Sequence, residues 1–206
     1  MFQQRKRLSL LFARITTHGV AKTQNLVYNV RIMVTLKRIF ADEQMYTWAM
    51  ELLRQSFPPE ERRDDQLQRQ VMQHADYRLC AILDDGTPRG VVGYWDTPNF
   101  LYFENFCVQS ECRNKGVGSA TLRLLTQSLR KPFILEIELP TDELTRRRKA
   151  FYQRNGMVEN PFPHVQPHYR ATDPDLPLMI LTYGKPISQT QYDGFRKYLD
   201  ENVDVR

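Results

Sequence analysis

The chain has 206 residues, of which 41% are hydrophobic and 26% charged, a composition typical of one globular domain. Of its 29 basic residues, six lie in residues 1–32 and none of the 24 acidic ones does, so residues 33–206 carry a net charge of −1. This balance argues against a general nucleic-acid-binding face. The early apolar run 10–13 is far shorter than a membrane helix, so we expect no membrane partner.

Residues 1–32 are basic and lack a clean periodicity. They fit a targeting peptide, a basic arm for an acidic partner, or an upstream extension with Met33 as the natural start. We expect this extension to be disordered or not native, and residues 33–206 to form a single domain. The three cysteines are too few and odd in number for a disulfide framework, which favours a cytoplasmic location.

Hydrophobic periodicity and turn residues predict the elements in chain order. They are a strand at 34–40, helices at 43–55 and 60–74, strands at 77–83, 89–96 and 101–108, a helix at 117–130, a strand at 133–139, a helix from 141 to about 155, an irregular segment at 157–170, a strand at 178–183 and a helix at 188–200. This order predicts an α/β domain with a mixed central sheet flanked by helices on both faces.

The sequence Arg113–Asn114–Lys115–Gly116–Val117–Gly118 lies between a predicted strand and a predicted helix. The first turn of a helix has unpaired backbone N–H groups, and glycine lets a phosphate approach them closely. The segment is therefore a candidate pyrophosphate site. A Rossmann fingerprint would follow the first strand of the unit, and a Walker loop would need Gly-Lys-Ser/Thr, so both are disfavoured.

The spacing Val108-x4-Arg113-x2-Gly116-x-Gly118 resembles the acetyl-CoA motif of the GNAT N-acetyltransferases, Arg/Gln-x-x-Gly-x-Gly/Ala. A second stretch, 150–157, is similar to the family's other signature, a Phe-Tyr pair on a helix shortly before a Gly-Phe. A methionine replaces the usual second Phe there. The resemblance covers residues 34 to about 184 and implies the GNAT fold.

The resemblance implies that a primary amine attacks acetyl-CoA directly in a ternary complex, with acetyl-CoA as the co-substrate. Backbone amides of the glycine turn would hold the pyrophosphate and the pantetheine arm would pair beside the preceding strand. The N–H of Cys107 or Val108 would then polarise the thioester carbonyl. The implied cofactor-binding residues are Phe106, Cys107, Val108, Arg113, Asn114, Lys115, Gly116, Val117, Gly118 and Ser119.

Two residues are candidates for proton transfer. Tyr152 matches the family's tyrosine, which would protonate the departing thiolate; the alternative is an ordinary core tyrosine. Glu104 interrupts an apolar strand, where a carboxylate is costly unless it is solvated or used, and is our candidate general base. Alternation along a strand would put it on one face with Phe106 and Val108. Its alternative role is an outward-facing or arginine-paired glutamate.

Weaker candidates surround these. His164 and His168 have the spacing of a helical metal pair, but the adjacent prolines forbid a regular helix, so we expect no metal and interpret the segment as an acceptor-pocket loop or plain surface. Glu136 and Glu138 can flank an amine. The basic run 146–149 is a solvated face or a partner for the 3′-phosphate of CoA.

The acceptor is not readable from the sequence. Polyamine-like amines, aminoglycosides, amino acids, protein N-termini and lysines all stay open, as does a homodimer. The alternative function is a non-catalytic acyl-CoA-binding module that acts as a sensor or interaction platform.

Overall fold

A computed structural model describes residues 33–127 and 129–204. The expectations for residues 1–32 lie outside the described residues. The elements are β1 (Val34–Arg38), α1 (Gln44–Ser56), α2 (Asp65–Val71), β2 (Tyr77–Asp84), β3 (Thr87–Asp96), β4 (Leu101–Val108), α3 (Val117–Thr126), β5 (Phe133–Glu138), α4 (Glu143–Arg154), β6 (Met157–Glu159), β7 (His164–Val165), β8 (Pro177–Tyr183) and α5 (Gln189–Asn202).

The strands form one mixed sheet in the order β1-β2-β3-β4-β5-β8-β6, with β7 also pairing to β8. Strands β1 to β4 are antiparallel neighbours, β4 and β5 are parallel, and β8 is antiparallel to β5. Asp85 and Gly86 have φ values of 49° and 74°, which suits the two-residue β2–β3 turn. The predicted mixed α/β architecture is confirmed.

Helices cover both faces of the sheet. Apolar side chains of α1 and α5, such as Leu53 and Phe195, belong to one buried cluster. Val117 and Leu122 of α3 and Tyr152 of α4 belong to a second cluster on the other face. Among the described residues, no helix is long and apolar enough to cross a membrane.

The predicted helix at 60–74 is wrong in its first half. Residues Pro59–Glu61 form a 3₁₀ turn, and α2 begins only after Asp64, whose side chain accepts a hydrogen bond from the N–H of Leu67. The buried residue of α2 is Gln68, whose amide donates to the hydroxyl of Tyr77 (3.0 Å). This polar contact lies beside Val71 and Met72, which are half-buried and pack against the core.

The other boundaries shift less. Helix α3 ends at Thr126 instead of residue 130, and the segment predicted to be irregular contains the short strands β6 and β7. The charge run at 146–149 lies within α4.

The sheet splits between β4 and β5. The two strands pair only from Leu101–Phe133 to Phe103–Leu135, although both continue beyond that point. On the other side of β4, a register shift between Gly93 and Tyr94 leaves Glu104 without a partner in β3. Such an extra residue bends a strand and turns its side chains. Glu104 is therefore the residue at which β4 leaves β5.

Candidate active site

The glycine turn ends directly at the start of α3. Gly116 has φ +83° and is the N-cap of α3, with no side chain capping the helix. Asn114 also has a positive φ, 60°, and residues 113–116 are exposed. The first N–H groups of the helix have no partner within it, so they can bind an anion together with the positive end of the helix dipole.

Close packing of aromatic rings explains why residue 118 is a glycine. A Cβ at this position would lie 3.1 Å from Phe151 Cζ and 3.5 Å from Phe106 Cζ. The two signature stretches of the sequence therefore contact one another, and the start of α3 packs directly against β4 and α4. Beside it, Val117 is buried in the core, which fixes the turn to the sheet.

The free edge of β4 faces the split. The N–H of Gln109 donates to Arg89 O in β3. Because alternate residues of an antiparallel strand bond to the same neighbour, Cys107 bonds toward β3, and the N–H groups of Phe106 and Val108 point into the split. This geometry disfavours Cys107 as the amide that polarises a thioester.

The thiol of Cys107 is also a poor nucleophile. Burial raises its pKa to about 11, well above the ordinary value for a cysteine. It is one of three free cysteines, all buried.

Tyr152 lies on α4, close to the split. The helix is fixed at its start by a capping box between Asp142 and Thr145. The side chain of Tyr152 is buried, and its pKa is raised, mainly by burial and further by the charge of Glu138, while the charge of Arg148 works to lower it. The phenol ring belongs to the buried cluster against which Phe106 and Val108 of β4 pack. It stays protonated at neutral pH and can donate a proton.

The side chain of Glu104 is fully buried, with an exposure of 0%. Its Oε2 accepts a hydrogen bond from Arg63 Nη1 (2.7 Å) and its Oε1 from the Tyr169 hydroxyl (3.2 Å). Tyr169 belongs to the α1/α5 cluster, whereas Phe106 and Val108 pack on the α3/α4 side. The prediction that Glu104 shares a face with them is wrong, because the register shift at Gly93 interrupts the alternation.

Arg63 is held against aromatic rings. Its guanidinium lies 4.4 Å from the centre of the Tyr169 ring and 5.8 Å from that of Tyr77. Burial works to lower the pKa of Arg63, but the charge and hydrogen bond of Glu104 together with the neighbouring tyrosines outweigh it, and the pKa is raised. The guanidinium is therefore charged.

A second carboxylate lies one strand away. Glu136, on β5, accepts from the Tyr102 hydroxyl (3.0 Å), and its other oxygen lies 2.6 Å from His164 Nε2. His164 Nδ1 lies 3.1 Å from the Tyr192 hydroxyl, which itself donates to Pro163 O (2.7 Å). That hydroxyl has one proton, so it accepts from Nδ1. The 2.6 Å contact between Glu136 and His164 Nε2 then needs a proton between the two atoms.

His168 contacts Asp175 at 3.0 Å and does not join His164. Within residues 33–127 and 129–204 no group of three or more His, Cys, Asp or Glu side chains could hold a metal ion. The spacing of four between the two histidines therefore reflects two separate hydrogen-bonded sites.

Two chain segments cover Glu104. Gln166 donates to Glu60 O (2.7 Å), and Arg170 hydrogen-bonds to the carbonyl groups of Pro59 and Arg62. These hydrogen bonds join the segment 59–63 to the segment 164–170. In the sequence, His164 and Glu136 are only weak candidates. Arg63 and Tyr169 are missed, because the charged stretch 60–65 and the proline-rich loop carry no local signal for them.

Comparison with known proteins identifies the family. The model of the acetyltransferase (GNAT) family matches residues 43–157. A protein from Bacteroides thetaiotaomicron assigned to the GNAT family is 35% identical, with a TM-score of 0.76 over 82% of this chain and 97% of that one. The chain belongs to the GNAT acetyltransferase family.

More distant structures share the fold. The ribosomal-protein-S18-alanine N-acetyltransferase of Escherichia coli is 18% identical, with a TM-score of 0.52 over 76% of this chain and 96% of that one. An aminoglycoside 6′-N-acetyltransferase in complex with coenzyme A is 14% identical, with a TM-score of 0.51 over 75% and 99%. A search of curated proteins found no significant match.

Proposed function

We propose that this protein transfers the acetyl group of acetyl-CoA to a primary amine by direct attack in a ternary complex. The observation that carries the proposal is the uncapped, glycine-started helix α3 beside the split between β4 and β5. An anion site at the end of a strand whose edge is free suits a ligand with a pyrophosphate and an extended amide-bearing arm. The neighbour solved with coenzyme A supports this choice of cofactor.

In this proposal the cofactor uses backbone groups. The amides of residues 114–119 bind the pyrophosphate, with Arg113 and Lys115 adding positive charge from exposed positions. The pantetheine arm pairs with the free edge of β4 along Phe106–Val108. The Val108 N–H is the better of the two predicted donors for the thioester carbonyl, since Cys107 bonds toward β3.

Glu104 and Tyr152 carry out the two proton transfers in this proposal. An alkylammonium has a pKa of about 10.4, so the acceptor must lose a proton before it attacks. Glu104 takes that proton, directly or through water, from the α1/α5 side of the split. Tyr152 gives a proton to the departing thiolate from the α3/α4 side, because burial keeps its hydroxyl protonated.

One observation favours a second candidate function. The side chain of Glu104 is fully buried and ion-paired with Arg63, so an amine must displace or open part of its surroundings to reach it. A non-catalytic acyl-CoA-binding module would have no need of such access. Release of free CoA from acetyl-CoA with a panel of amines separates the two: the enzyme turns over with at least one amine class, and the module binds acetyl-CoA with no amine-dependent release.

The cytoplasmic location and a homodimer stay predictions. A molar-mass measurement in solution tests the second.

A further inference from the structure

We propose that the acceptor is a free α-amino acid, whose carboxylate is bound by Arg63 while its amine is bound by Glu104. This inference rests on the proposed acetyl transfer and names its substrate class. It follows from the charge balance, the hydrogen-bonding capacity and the spacing of one buried ion pair.

The first step is the charge balance of the pair. Glu104 and Arg63 form one buried ion pair. An acceptor that brings only ammonium groups adds positive charge beside Arg63, whereas an acceptor with one ammonium and one carboxylate keeps the charges of the pair balanced.

The second step is the unused capacity of Arg63. A guanidinium has five N–H donors, and among the described residues only Nη1 makes a hydrogen bond, to Glu104. The side chain is only 6% exposed. Its Nε and Nη2 atoms, which have no partner among the described residues, are not fully buried and border accessible space.

Stacking adds direction to this capacity. The rings of Tyr169 and Tyr77 lie along the guanidinium and limit its rotation. A planar group with free donors and a fixed orientation is suited to a carboxylate, which accepts two parallel N–H bonds.

The third step is spacing. The positive and negative groups of the pair lie 2.7 Å apart, Arg63 Nη1 to Glu104 Oε2. A ligand that contacts both must carry its own opposite charges close together. In an α-amino acid the ammonium and the carboxylate are on the same carbon. The ammonium can therefore face Glu104 while the carboxylate faces Arg63. An amine without a carboxylate leaves Arg63 unsatisfied, and an amino acid with a long spacer cannot reach both groups.

The test uses matched trios of acceptors with the full-length wild-type protein and acetyl-CoA. Each trio holds one α-amino acid, its amide and its decarboxylated amine, for example phenylalanine, phenylalaninamide and phenethylamine, repeated for small, acidic, basic and branched side chains. The expected result is a kcat/KM for the best amino acid roughly 10- to 100-fold above both of its analogues, the worth of a charged hydrogen bond. Equal or better turnover of the amides or amines overturns the proposal.

A binding readout covers the case of slow chemistry. In the presence of saturating CoA, the best α-amino acid raises the melting temperature and its decarboxylated amine does not. If no amino acid of the panel binds or reacts while other amines turn over, the acceptor class is wrong and the acetyltransferase stands. If CoA species themselves fail to bind, the proposed function fails first.

The role of Arg63 is tested by a charge-neutral double variant, Arg63→Met with Glu104→Gln, which leaves no buried charge unpaired. It is compared with Lys149→Met with Glu159→Gln, which removes a partly exposed ion pair between α4 and β6. Loss of amino-acid binding in the first variant only, with CoA binding kept in both, supports the proposal. Unchanged amino-acid binding in a folded first variant contradicts it.

Discussion

The two sides of the split sheet are built in different ways. On the α3/α4 side, the proposed anion site is a short, continuous and exposed segment made of backbone amides that glycine leaves accessible. On the α1/α5 side, the proposed acceptor site is buried and made of side chains from β4, β5, the segment 59–63 and the proline-rich loop.

Because one site is built from backbone and the other from side chains, the two should respond to different kinds of substitution. A site made of backbone at a helix start binds the same cofactor whatever the neighbouring side chains are. A site made of paired side chains from distant segments depends on every partner, since the loss of one leaves a buried charge unpaired. We therefore expect backbone changes to weaken cofactor binding, and charge changes to impair the reaction with the acceptor.

The largest effect is expected at Gly116. Gly116→Asp forces a side chain and a negative charge into the anion site at φ +83°, and we expect a loss of CoA affinity of at least about 100-fold. The control is Gly86→Asp, which imposes a similar strain at φ +74° in the β2–β3 turn, where a Cβ contacts nothing. Titration calorimetry with CoA compares the two; equal affinities would place the pyrophosphate elsewhere.

The next effect is expected at Glu104. Glu104→Gln keeps an acceptor for Arg63 but removes the base, so kcat should fall by about 10²- to 10³-fold. Raising the pH deprotonates the free amine and should restore part of the activity. CoA affinity should not change, because the substitution is on the acceptor side.

Its control is Glu159→Gln, which removes an exposed ion-pair partner of Lys149. This variant should keep wild-type turnover. A Glu104→Gln enzyme with unaltered kcat would remove that residue from the mechanism.

A smaller effect is expected at Tyr152. Tyr152→Phe removes the proton donor for the thiolate, and we expect kcat to fall about 10- to 100-fold with CoA affinity nearly unchanged. Because the pKa of the tyrosine is raised, the wild-type enzyme should keep this donor to above pH 10. Tyr198→Phe, which removes a hydroxyl bonded to Asp76, is the control for lost phenol packing. Matching kcat values in both variants would assign Tyr152 to the core.

The smallest effect is expected at Cys107. Direct transfer needs no thiol, and burial keeps this one protonated, so Cys107→Ala should retain kcat within about threefold. Loss of the buried sulfur should cost about 1 kcal/mol of unfolding free energy. A burst of acetylated wild-type enzyme that the variant lacks would argue for a covalent intermediate instead.

The sequence predicts most of the fold because its signals are local. Strand β4 matches the prediction residue for residue, and the inward residues of α5, Tyr192, Phe195 and Leu199, follow its helical period. The prediction of a helix at 60–74 fails at its start, where the local Asp64 cap sets the first residue of α2, and the burial of Gln68 depends on a contact with β2 that no periodicity shows.

The same distinction between local and distant signals holds for the candidate site. The glycine turn can be predicted because a motif of adjacent residues encodes it. The direction of the Glu104 side chain cannot be predicted, since it depends on a register shift in the neighbouring strand β3. Its partners Arg63 and Tyr169 are 41 and 65 residues away in sequence, and each is ordinary in its own local context.

The central claim is that the start of α3 and the free edge of β4 bind CoA. Thermal melting of the full-length chain with acetyl-CoA, CoA, ATP and NAD, all at one concentration about a hundredfold above the dissociation constant of CoA, tests it most directly. We predict stabilisation by acetyl-CoA and CoA of about 2.7 kcal/mol, with little or none from ATP and NAD. No shift with either CoA species, or an equal shift with all four ligands, would contradict the account.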